Sequence, residues 1–355
     1  PEKFDAALLT LSRDRSSDVR LESAVALGSR CGVSPKAGHA LLGRLDDANV
    51  LVRLQVEHAL RECTASPLRA EVVTRLQAEL PQRSQLEQLM LVNTLGAIGH
   101  QEEVESQLLN LLASEDSAMV RVATDALAQQ RSALAVPVLA ELLAQKRGDL
   151  QLTVSALGSI GTPEVIQALL PLLGADDEAL RVAAIEAIGD AEGNEGLAEL
   201  AARLARLEVR ISSDVDSPQW VDLSENYPEL PALLKAIDQK RLGSQDPVDQ
   251  ATIAQLLASG QAHEQLIGLQ HLAGERPYDR RVVPIEGETQ DLFPHLEALC
   301  GHASPLMRVF ALKAIGNTVD ARALPILEAA TKDSAFGIRY AAIEALGAYA
   351  KNTGN

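Results

Sequence analysis

Residues 176–189 read DDEALRVAAIEAIG: a polar turn, an arginine at Arg181, an alanine-rich apolar run and a glycine. The phrase returns at 334–347 as SAFGIRYAAIEALG, and in more divergent form at 304–316, 117–128, 149–158 and 17–28. A single short amphipathic helix of this kind cannot cover its own apolar face. Copies at intervals of about 30 residues are the mark of helical hairpins that bury one another by stacking.

The period is legible from the arginines. Arg20 and Arg53 lie 33 residues apart, Arg308 and Arg339 31 apart, and Arg121, Gln151 and Arg181 align at intervals of 30. Each interval accommodates two short antiparallel helices and their turns. After residue 207 the rhythm breaks. The stretch VRISSDVDSPQWVDLSENYPE, residues 209–229, holds two prolines, five acidic residues and the only tryptophan, and a second break falls at Glu275–Glu288. The pattern predicts an N-terminal array over 1–207, an acidic irregular insertion or connection over 208–247, and a C-terminal array over 248–355. A continuous solenoid with a large internal insertion is the alternative.

Aromatic residues make up only 3% of the chain against 46% apolar residues. Burial therefore rests on Ala, Leu, Val and Ile, which suits closely packed helices. The formal charge of −17 repels a phosphate backbone and argues against nucleic acid as partner. No apolar run reaches the roughly 20 residues needed to cross a bilayer, and no signal-peptide pattern precedes the first helix. Cys31, Cys63 and Cys300 form neither a CxxC pair nor a disulfide framework. A cytoplasmic location follows as an expectation, with Cys31 and Cys63 as packing residues at neighbouring helix ends.

On DxxxxRVAAIEAIG and its copies, the chain resembles the HEAT-repeat superfamily, in particular the bacterial HEAT-like repeats named after phycobilisome lyases. Arg20, Arg53, Arg121, Arg181, Arg308 and Arg339 fall at that family's basic position. The resemblance implies an all-α fold, a curved right-handed alpha-alpha solenoid of HEAT-like hairpins, with the second helices commonly lining its concave side. It does not select bilin attachment, because such repeats also occur in adaptors and assembly factors.

Each of these arginines stands beside polar turn residues, and a structural role tying successive hairpins together through carboxylates and helix-end carbonyls is the expectation. Chemistry is harder to find. Asp214, Asp216, Asp222 and Glu225 lack the opposed placement that acid–base catalysis needs, and the loop lacks the spacing and glycine of a calcium loop. Cys300 ends an apolar helix, and His295, His302, His263 and His271 have no ligand set for zinc. Gly158, Gly161, Gly189 and Gly316 read as helix exits rather than a phosphate-binding loop.

These patterns favour a non-catalytic protein-binding scaffold or adaptor, with no cofactor and no metal site. Its partner is expected to be a protein, with a basic surface or segment matching the charge. Candidate contacts are Glu141, Gln145, Glu164 and Gln167 on second helices, and Asp214, Asp216, Asp222 and Glu225 with Trp220 and Tyr227 in the insertion. The two aromatics read either as interface residues or as anchors of the insertion. An accessory subunit for chromophore or cofactor attachment, and a purely structural or homo-oligomeric array, are the competing functions.

Overall fold

The computed structural model describes residues 2–65, 68–98, 102–243, 248, 250–273, 283–285 and 288–354. Among these the chain is helical apart from one antiparallel hairpin pairing Val283–Ile285 with Glu288–Gln290. It divides into two compact units, Pro1–Ala168 and Leu169–Asn355. That division lies elsewhere than the array boundaries expected at 207 and 248. Most of Glu275–Glu288, and residues 244–247, lie outside the described residues.

In the N-terminal unit the first helices of successive hairpins stack in sequence. Ser17–Cys31 packs on Val50–Leu60, that on Gln85–Ile98, then Ser117–Gln129, then Leu150–Ile160. The C-terminal unit repeats the arrangement with Glu178–Asp190, Glu229–Leu242, Ala262–Leu272, Pro305–Gly316 and Phe336–Thr353. Glu229–Leu242 thus serves as a full member of the ladder, and Leu197–Ser213 packs against it. Much of 208–247 is helical rather than irregular. Its ladder helix carries neither the arginine nor the alanine-rich phrase, so the repeat pattern passes over it.

The helices start where short polar side chains accept from free first-turn amides. Asn49, Asp116, Asp149, Asp177 and Ser304 do so for their own helices. Four residues after Asn49, Asp177 and Ser304 comes the arginine. Arg181 Nη1 donates to the carbonyls of Ala175 and Asp176, while its other nitrogens reach Glu229 on the next ladder helix. Arg20 joins Asp14 and Arg15 carbonyls to Asp47, and Arg53 joins Asp47 and Ala48 carbonyls to Glu87. Arg308 pairs with Asp333, and Arg339 donates to the carbonyls of Asp333 and Ser334. Arg121 departs from this pattern. It sits five residues after its cap, Asp116, and is exposed, because one extra residue turns a side chain by about 100° around the helix.

Close approach between ladder helices explains the recurrent glycine. A Cβ on Gly28 would lie 3.0 Å from the Cβ of Ala59, on Gly189 2.8 Å from Ala236, and on Gly316 2.6 Å from Ala345. Gly189 and Gly316, the second-last and last residues of their helices, are thus also contact points between neighbouring ladder helices. Gly161, with φ of 72°, does end its helix in the left-handed conformation.

Cys31 and Cys63 form a disulfide, with Cα atoms 5.0 Å apart. This corrects the packing-only expectation. The two residues are 32 apart, nearly one repeat, so stacking brings equivalent helix ends together. Such links persist in oxidising environments, which counts against reading the cysteines as signs of a cytoplasmic protein. Burial pushes the thiol of Cys300 up to about 12, as expected of a packed rather than reactive cysteine.

Candidate binding groove of the C-terminal unit

The break in the repeat rhythm builds one wall of a groove. After Leu197–Ser213 the chain makes a turn, a 3-10 helix at Pro218–Val221 and a short helix at Leu223–Asn226. Trp220 is 3% exposed, and its Nε1 donates to the carbonyl of Ile211 at 3.1 Å. Tyr227 is 2% exposed, and its hydroxyl donates to Asp214 Oδ2 at 2.9 Å. Burial, and then the Asp214 carboxylate, push that hydroxyl up to about 12. The guanidinium of Arg210 lies 5.6 Å from the centre of the ring. Both aromatics are thus anchors of the insertion and not exposed contact residues.

The acidic residues of this segment are mostly engaged. Asp216 Oδ1 accepts from the amide of Phe336, 120 residues away in sequence. Asp222 caps its own short helix, accepting from the amides of Ser224 and Glu225 and from the Ser224 hydroxyl, which holds its carboxyl below the usual range. Glu225 is exposed. Carboxylates fixed in this way shape a loop; they are not an opposed acid–base pair.

What the segment does present outward is Val221–Ser224. These residues face the ladder helices across a cavity of 350 Å³, whose other walls are Leu230, Pro231 and Leu234, then Gln270, then Val309, Phe310 and Lys313, and finally Glu344. A second cavity of 530 Å³ adjoins it through Lys313 and Glu344, and is lined further by Ala273, Asn317, Ala345, Ala348, Lys351 and Asn352. Lys313 and Glu344 pair at 3.4 Å. The charge of Glu344 raises the pKa of Tyr340 one turn earlier. Asn352 Nδ2 donates to Asn317 Oδ1, and Asn317 Nδ2 to the carbonyl of Leu272. The result is an apolar shelf bordered by a mixed rim of amides and ionic groups.

Four of the five ladder helices in this unit contribute to the groove. The resemblance had pointed instead to second helices. The candidates there sit apart from it: Glu141 and Gln145 are exposed and hydrogen-bonded to each other, and Glu164 and Gln167 are exposed. Glu105, on another second helix, is buried and accepts from Ser132. The groove residues Phe310, Lys313, Asn317 and Glu344 were not singled out by sequence. Their only signal was position within the recurring phrase, where variation between copies marks a face not needed for stacking. Among the described residues, no cluster of three or more His, Cys, Asp or Glu is placed to hold a metal ion. No described helix is long and apolar enough to cross a membrane.

The family described as HEAT repeats matches residues 150–212 and 293–353. No curated protein matches the chain in sequence. Among solved structures it is similar to Kap121p, at 14% identity and a TM-score of 0.56 over 98% of this chain and 42% of that one. The karyopherin Kap121p bound to the extreme C-terminus of the protein phosphatase Cdc14p gives 13% identity and a TM-score of 0.55 at the same coverage of both chains. Kap121p bound to Pho4p gives the same values. The chain thus spans less than half the length of these neighbours, and identities this low show the fold alone. Residues 150–212 and 293–353 carry HEAT repeats, and the fold they belong to is an all-α solenoid of HEAT-like hairpins.

Proposed function

We propose that this protein is a non-catalytic binding scaffold whose C-terminal groove takes an extended segment of a partner protein. The observation that carries this reading is the groove itself. It joins an apolar shelf to a ring of polar groups capable of fixing a peptide backbone, a combination typical of binding sites. Val221 is 46% exposed at its edge, an apolar surface that contact with a partner would cover. The formal charge of −17 favours a partner with a basic surface and speeds its encounter, with strong salt dependence. That Kap121p is seen with a segment of Cdc14p is consistent with a HEAT solenoid used in this way.

The test is affinity purification from the source cells with the wild-type chain beside Val221→Asp and Lys313→Glu. Both positions are exposed, so folding is expected to survive. A partner retained by wild type and lost by both variants supports the groove. Equal retention by all three contradicts it. An accessory role in chromophore attachment rests on the repeat pattern alone, and transfer of a pigment to a third protein on mixing would identify it.

A further inference from the structure

The last ladder helix, Phe336–Thr353, breaks the local rules that the other repeats follow. Its cap position is Ala335, which supplies no side-chain acceptor, where the other ladder helices in this arginine register have Ser16, Asn49, Asp177 and Ser304. Two residues after the cap stands Gly337, where the other ladder helices with this arginine register have Asp18, Leu51, Ala179 and Leu306. A glycine in a first helical turn forgoes helix propensity for no local gain. Both exceptions are answered by the insertion. Asp216 Oδ1 accepts from the amide of Phe336 at 2.9 Å, and the carbonyl of Val215 accepts from that of Gly337 at 2.8 Å. The indole of Trp220 lies over Gly337, where a Cβ would come within 2.6 Å of two ring atoms.

We propose that residues 214–222 form a latch, with Trp220 as its pin and Gly337 as its seat. When seated, it ties Leu197–Ser213 at one side of the C-terminal unit to the last ladder helix, and it fixes the groove wall Val221–Ser224. When unseated, it frees that wall and leaves the first turn of Phe336–Thr353 uncapped. A stack whose repeats touch only their neighbours bends easily. A contact spanning several repeats sets its curvature, so the latch determines how wide the groove stands. The inference concerns the conformation of the unit and holds whether or not the groove binds a protein.

Trp220 is the chain's only tryptophan, so its fluorescence reports the latch directly. The experiment compares the full chain with Gly337→Ala, which removes the seat, and Asp216→Ala, which removes the cap's acceptor. It records acrylamide quenching of Trp220 together with hydrogen exchange. The latch predicts a more accessible indole in Gly337→Ala. It also predicts exchange about tenfold faster in peptides covering 214–226 and 336–340 in both variants, with the other ladder helices unchanged. Unchanged quenching and exchange in both variants would overturn it. So would acceleration spread evenly over the whole C-terminal unit, because the segment would then be ordinary core. Should Gly337→Ala fail to fold, Asp216→Ala alone decides between these outcomes.

Discussion

Glu57 is the residue whose environment departs furthest from its chemistry. It is fully buried on Val50–Leu60, and neither carboxylate oxygen has a hydrogen-bond partner among the described residues. Burial raises its pKa to about 7, against the pull of Arg83, Arg53 and Arg61 and with added repulsion from Glu87. The folded state therefore holds the proton more tightly than the unfolded chain. Its contribution to stability is full below about pH 4.5 and is lost as pH rises through about 7. Glu57→Gln should abolish this slope and stabilise the N-terminal unit above pH 7 by up to about 3 kcal/mol, read from urea unfolding at pH 5 and pH 8. Equal stability of the two proteins at pH 8 would show that water or a partner relieves the charge.

Also at this scale, Glu229 is 1% exposed at its side chain and holds both Arg181 and Arg203. Glu229→Ala leaves two guanidinium groups short of a partner, whereas Arg181→Ala leaves Arg203 in place. Glu229→Ala should therefore be the more damaging change, with a loss of about 3–5 kcal/mol in unfolding free energy. The arginines were legible in the sequence and their acceptors were not. Asp47 and Asp333 each lie three residues before the next ladder helix, whereas Glu87 lies inside its helix and Glu229 opens its own, so no one spacing marks all four.

Among elements, the glycine after the alanine-rich run gives a matched comparison. Gly316 and Gly347 each lie eight residues after the repeat arginine. At Gly316 an added Cβ meets the backbone of Ala345 at 2.5–2.7 Å, and at Gly347 it meets nothing within 4 Å. Gly316→Ala should cost about 1–3 kcal/mol through overpacking. Gly347→Ala should stabilise by about 0.5–1 kcal/mol through helix propensity. Thermal unfolding of the two variants checks both signs. The disulfide belongs to this scale as well: reducing Cys31–Cys63 should lower the stability of the N-terminal unit by about 2–4 kcal/mol, and intact mass before and after reduction establishes the bond.

The elements themselves were readable to different degrees. Helices written with the recurring phrase were clear, because apolar period, cap and arginine agree. Over Glu229–Leu242 the helix was legible at Leu230–Ile237 but its place in the ladder was hidden, since that place is set by tertiary packing of Leu230, Leu233 and Ile237 rather than by the local phrase. The disulfide was missed because the expectation rested on compartment instead of repeat geometry.

For the whole molecule, periodicity gave the all-α repeat fold, which needs only local sequence. The groove draws on four ladder helices and the insertion, and no linear motif unites residues as distant as Val221 and Asn352. Trp220 and Tyr227 of the insertion face inward, and Val221–Ser224 of the same segment line the groove. In the proposed function a partner protein lies in this groove. The most direct test is cross-linking mass spectrometry on the native complex, with an amine-reactive reagent and the wild-type chain. A partner seated in the groove should give links to Lys313 and Lys351. A stable complex whose links avoid both lysines and all of 221–224, 309–317 and 344–352 would contradict it.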